Sequence, residues 1–166
     1  MPTVDVLNAG LYLVLCWRGD RPEDGYHWYL YDFDGERQNN GFHAVGRAGR
    51  WMYERNIGWT PARFAFALTA VRVGRYMNPE VLEKIIKPIM VQDPPAPLPE
   101  GFTCRIFIRL ALQLLADTHD ADGHPWITYD DLDLVEEEAQ AHAAEHMASV
   151  RSEGVRGGVH VSTHCH

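Results

Sequence analysis

Three residues of this chain belong to the types that together make a nucleophile and its base: Cys104, His27 and His43. Cys104 follows Thr103, a good N-cap residue, and opens the apolar stretch TCRIFIRLALQLLAD (103–117). A sulfur at the first helical position lies among unpaired N–H groups, whose partial positive charge favours a thiolate. Such a thiolate needs an imidazole as ion-pair partner and proton shuttle. His27, in GYHWYLYDF (25–33), is the candidate donor of that imidazole. His43, in GFHAV (41–45), is placed to hold the tautomer of His27 by a hydrogen bond. The chemistry expected of this set is attack of Cys104 on an ester, thioester or amide carbonyl. His27 takes the thiol proton and returns it to the leaving group, while helix N–H groups hold the oxyanion.

These residues need a scaffold, and the hydrophobic pattern predicts one. LYLVLCW (11–17) is apolar throughout and reads as a buried strand. RGDRPEDG (18–25) is a turn, and YHWYLYDF (26–33) is a second strand. Its period of two puts His27, Tyr29, Tyr31 and Phe33 on one face, with Tyr26, Trp28, Leu30 and Asp32 on the other. The loop 34–41, then FHAVG (42–46), RWMYERNI (50–57) and RFAFALTAVRVG (63–74), extend this to an antiparallel meander of about five strands. Helical signals follow. Asn78-Pro79-Glu80 starts a helix that ends near Pro88, and the four-proline stretch 91–101 is an extended connector. The 103–117 helix comes next, with Ile106, Phe107, Leu110, Ala111 and Leu114 as its apolar face. Thr128 and Asp131 resemble a capping box for a last helix reaching about Ser149, with Leu132, Val135, Ala139, Ala143 and Met147 as its stripe. Strands followed by helices give an α+β fold. Residues 1–150 form one domain of this kind, with three helices against the sheet, and 151–166 read as a flexible C-terminal tail.

Composition narrows the partners. The 166 residues are 46% hydrophobic, with 23 acids against 15 Lys and Arg and a formal charge of −8. This repels phosphate backbones, so nucleic acid is not expected as a partner. No run approaches the ~18–20 apolar residues of a membrane span, and GLYLVLCW (10–17) lacks the basic flank of a leader peptide. The odd, widely spaced cysteines, Cys16, Cys104 and Cys165, predict free thiols and a cytoplasmic protein.

The motifs YHWYLYDFDG, GFHAV and TCRIFIRLAL resemble those of circularly permuted NlpC-type, papain-like hydrolases, in particular the lecithin:retinol acyltransferase-like branch. In that family a strand histidine, a second histidine on the next strand and a cysteine opening a later helix occur in this order. Thr103 stands where the family has Asn. The chain is also similar, over about 11–147, to small uncharacterised fungal proteins with YHWAL-like and Gly-x-x-Phe/Tyr-His segments. The resemblance implies a permuted papain-like fold with a Cys104–His27–His43 site. It also implies a cysteine-dependent acyl hydrolase or acyltransferase acting on a small acyl compound, and the fungal likeness implies one of secondary metabolism. Two other readings stay open: a cyclase or isomerase using the His27/His43 cleft without a covalent intermediate, and an inactive binding module of the same fold.

Three further motifs compete. HAAEH (142–146) matches the His-x-x-Glu-His pattern of inverted zinc peptidases but lacks a third ligand well downstream. DADGHPWITYDDL (120–132) echoes a calcium loop, yet neither register supplies both the glycine and the terminal acid. HVSTHCH (160–166) is rich in soft ligands but falls in the expected tail. No cofactor and no metal are therefore expected.

Overall fold

The computed structural model describes residues 4–6, 8–18, 25–64, 66–153 and 157–166. Five strands precede the helices: β1 (Gly10–Trp17), β2 (Tyr26–Phe33), β3 (Asn39–Arg47), β4 (Arg50–Ile57) and β5 (Ala67–Gly74). Then come α1 (Pro79–Ile86), α2 (Cys104–Asp117) and α3 (Leu132–Glu153), and a short β6 (Val159–Val161). The sheet order is β4-β3-β2-β1-β5-β6. All neighbours are antiparallel except β5 and β6, which run parallel.

The α+β expectation therefore holds with two corrections. Among the described residues the sheet has six strands and is mixed rather than purely antiparallel with five. The expected tail from 151 is partly built into the fold: α3 runs on to Glu153, and Val159–Val161 pairs with Ala70–Arg72. Beyond β6, Tyr129 bridges Cys165 and the His166 N–H donates to the Thr128 carbonyl at 2.9 Å. A three-residue strand has too short a periodic signal to stand out in a sequence.

Local chemistry explains the joints. Asp34 closes the β2–β3 hairpin by accepting the backbone N–H groups of Glu36, Arg37 and Gln38 on one oxygen, at 2.8, 2.8 and 3.0 Å. The Asn78 side chain caps α1 by accepting from the N–H groups of Glu80 and Val81. At the last helix Asp131, not Thr128, takes the capping role, accepting from Asp133 N–H at 2.9 Å, while Thr128 donates to the His166 carbonyl. At α2, Thr103 Oγ1 accepts from the Ile106 N–H at 3.3 Å, as the sequence predicts. Thr103→Ala is expected to cost about 1 kcal/mol of stability, read as a lower urea midpoint at unchanged slope; an unchanged midpoint would mean water caps α2 equally well.

The two faces of the sheet have different company. Leu11, Leu13, Leu15, Trp28, Leu30, Phe42 and Ala44 form one core with the helices, meeting Leu82 and Ile86 of α1, Phe107, Ala111 and Leu115 of α2, and Val135, Ala139 and Ala143 of α3. The buried face of α2 also takes in Ile108 and Leu112, one residue on from the expected stripe. The opposite face carries Tyr12, Val14, Cys16, Tyr29 and Tyr31, covered by Val4, Val6, Trp59 and Phe64. The aliphatic face went to the helices, whose ridges pack against leucine and valine; the aromatic, hydroxyl-bearing face went to short loop segments.

Candidate functional site

The division between faces decides the arrangement of the expected site. Tyr26 and Trp28 belong to the core on the helix side, together with Cys104. His27, between them on β2, points to the other side, opposite Cys16 in the register and against Tyr29. The structure thus brings His27 and His43 together and leaves Cys104 on the far face of the sheet. The expectation that α2 would aim its N-terminus at His27 is corrected on this point. It failed because the helix packs on the Trp28/Leu30 side.

His27 Nε2 lies 2.7 Å from His43 Nδ1. His43 is 4% exposed and stacks on Tyr29, with centroids 4.1 Å apart, and Tyr29 stacks in turn on Trp59 at 4.5 Å. A Cβ at Gly41 would stand 2.9 Å from the Trp59 ring, so the glycine lets that indole lie flat against the sheet. On its other side His43 Nε2 is 3.3 Å from Asn56 Nδ2 and 3.9 Å from a Glu54 oxygen. With the Asn56 amide donating, His43 carries its proton on Nδ1 and gives that hydrogen bond to His27 Nε2. Burial holds both imidazoles well below their ordinary value. His27 is lowered to about 4, with the Arg18 charge adding to burial, and His43 to about 3, with His27 and Arg47 adding. At neutral pH both rings are neutral.

Cys104 is 1% exposed, and its thiol faces the Tyr26 carbonyl at 3.9 Å. It lies at the floor of a cleft of about 540 Å³, lined also by Arg18, Tyr26, Trp28, Arg105 and Gln140. Arg105 spans this rim, sitting 5.8 Å over the Trp28 ring and donating to Glu136 at 2.7 Å. Burial pushes the Cys16 thiol far above the ordinary thiol range and raises that of Cys165.

Asn56, Tyr29 and Trp59, which hold His43, were not singled out in the sequence. Asn56 sits opposite Gly41 on the neighbouring strand, so only the β3–β4 register places it. In the acidic loop, Asp120, Asp122 and His124 group their ligand atoms within 4.8 Å. Asp120 is already engaged there, accepting from Arg75 at 2.6 Å and from the N–H groups of Asp122 and His124 at 2.9 Å. Those bonds pull its carboxyl down to about 2 and make the loop a turn, as expected.

Among known proteins, no family model, no curated protein and no solved structure matches the chain. No helix among the described residues is long and apolar enough to cross a membrane.

Proposed function

We propose that the chain is a small acid–base catalyst, a cyclase or isomerase in reaction class, in which His27 hydrogen-bonds to the oxygen of a small carbonyl compound and His43 positions it. The observation that carries this reading is the 2.7 Å contact between two neutral imidazoles, backed by Asn56. In the tautomer that Asn56 sets, His43 Nδ1–H donates to His27 Nε2, so His27 keeps a proton on Nδ1. That N–H can hydrogen-bond to a substrate carbonyl oxygen while the α-proton is transferred to solvent hydroxide, with no net charge on either ring. Burial, which penalises charge, favours that mode of transfer. A neutral imidazole is also a suitable donor for polarising a carbonyl, the part His27 would play at its second ring nitrogen. Half-buried His27 is the group that meets substrate; buried His43 acts through it.

The test is C–H exchange in D₂O on a panel of small ketones and keto acids, followed by NMR. Wild type is expected to exchange α-protons, and His27→Ala to slow this by about 100-fold or more, within the usual range for a positioned acid–base group. His43→Ala should slow it less. Absence of exchange with every compound would favour a non-catalytic binding module.

A second reading rests on a different observation, the placement of Cys104 at an α2 N-terminus on the floor of an open cleft. It is a cysteine-dependent acyl hydrolase or acyltransferase of permuted papain-like type. Because the imidazoles face the other way, this chemistry would need a base other than His27. Alkylation at pH 6 separates the two readings. The acid–base reading expects Cys104 to be labelled at the same rate in wild type and His27→Ala. A slower rate in the variant, or an acyl group trapped on Cys104, would favour the covalent reading.

A further inference from the structure

The HAAEH motif on α3 lacked a third ligand only along the sequence. In the fold, β6 returns beside α3 and supplies one. His142 and His146 stand one helical turn apart, and His160 is the middle residue of β6. His146 Nε2 lies 3.0 Å from His160 Nε2. The His142 ring stacks on His160 with centroids 3.5 Å apart and planes 11° apart. All three are half-buried.

We propose that His142, His146 and His160 form a binding site for a divalent transition-metal ion of the zinc class. Zn–N bonds are about 2.0–2.1 Å, so two nitrogens on one tetrahedral ion are roughly 3.3 Å apart. The His146–His160 pair already stands near that spacing. His142 presents its face to His160, and as the rings stand the ligand atoms of the three do not all lie within 4.8 Å of one another; a change of the His142 rotamer is needed to bring its nitrogen into the set. Three imidazoles select zinc, copper, nickel or cobalt over calcium and magnesium, and three protein ligands leave a fourth position for water or a substrate oxygen.

Two features hold this cluster in place. A methyl group on Gly158 would overlap Nε2 of His146 and crowd His160, so any larger residue there would have to push the rings from their present positions. The Gly158 carbonyl is fixed by the Ala70 N–H at 3.0 Å and by Thr69 Oγ1 at 3.3 Å. Beyond His160, Glu138 of α3 accepts from Ser162 Oγ at 2.6 Å, Thr163 N–H at 2.9 Å and Thr163 Oγ1 at 2.8 Å. That clamp ties the strand to the helix one turn before His142. Ligands are thus supported by groups that are not themselves ligands, as metal sites require.

The experiment uses the full chain without an affinity tag, stripped with chelator and titrated with Zn²⁺ and with Co²⁺. The expected result is one zinc per chain, a raised melting temperature, and visible cobalt bands of a four- or five-coordinate nitrogen site without a thiolate charge-transfer band. Imidazole NMR signals of His142, His146 and His160 should shift with zinc in the wild-type protein. His146→Ala and His160→Ala should each weaken zinc by at least ~100-fold, more than the loss of a supporting group outside the ligand set. Gly158→Val should weaken it with all three ligands present, and His164→Ala with His166→Ala should leave it unchanged. Failure of wild type to take up zinc, shifts confined to other histidines, or binding that survives His160→Ala would overturn the proposal.

Discussion

Acidification from pH 7 to about 4 is expected to remove about 3 kcal/mol of stability through His27 alone. The imidazole is held at about 4 in the folded chain by burial and by Arg18, against about 6.5 when unfolded. Across that window the unfolded chain binds a proton that the folded chain refuses. The contribution is therefore fully present above about 6.5 and is lost as pH falls through 4. His43, lowered to about 3 by burial, His27 and Arg47, extends the loss to lower pH. Denaturant unfolding between pH 7 and 4 measures it. Replacing both histidines by glutamine should flatten the profile over this range. An equally steep profile in the double variant would mean that the imidazoles protonate freely in the folded state.

Asp32→Asn is expected to act in the opposite direction on the pH axis, stabilising the protein by about 4 kcal/mol at pH 8 and by only about 1.5 kcal/mol at pH 5. Asp32 is 0% exposed, and neither of its carboxylate oxygens has a hydrogen-bond partner among the described residues. The Met77 N–H and the Arg55 charge favour the ionised form, but the N–H lies outside hydrogen-bond geometry and burial prevails, raising the carboxyl to about 7. The folded state therefore holds a proton that the unfolded chain gives up near 3.9. Its contribution is present below about 4 and is lost as pH rises through 7, leaving an unpaired buried charge above that. An amide copies the shape of the neutral acid without ever ionising. Equal effects of the substitution at pH 5 and pH 8 would show that the carboxylate is paired. With the histidine pair falling away on the acid side and Asp32 on the basic side, these three groups together place the stability maximum of wild type near about pH 7.

Much of the scaffold was legible because local rules were obeyed. β1 reads as continuously apolar and is buried on both faces. Asn78-Pro79 and Thr103 name their helix starts, since capping needs only a side-chain oxygen and the next turn of backbone. The α3 stripe Val135, Ala139, Ala143 and Met147 is buried as its spacing implies. The pairing of His27 with His43 was legible for the same reason: two adjacent strands, joined by a short polar loop, bring same-face residues together.

What lay beyond the sequence was everything that depends on which surfaces meet. Alternation along β2 separates His27 from Trp28 unambiguously, but it does not say which of the two faces the helices will cover. Packing chose the leucine-rich face, and that choice placed Cys104 across the sheet from the imidazoles. A three-residue strand has no period of its own, so the parallel pairing of β6 with β5, which carries His160 to His142 and His146, was decided by tertiary contact alone. Asp32 makes the same point from the polar side. Its place on the inward face follows from a period of two, whereas its lack of a partner follows from the groups that packing left around it. Periodicity is a property of neighbours along the chain and can be read there; the meeting of faces is set by shape and desolvation between distant segments, and exists only in the folded molecule.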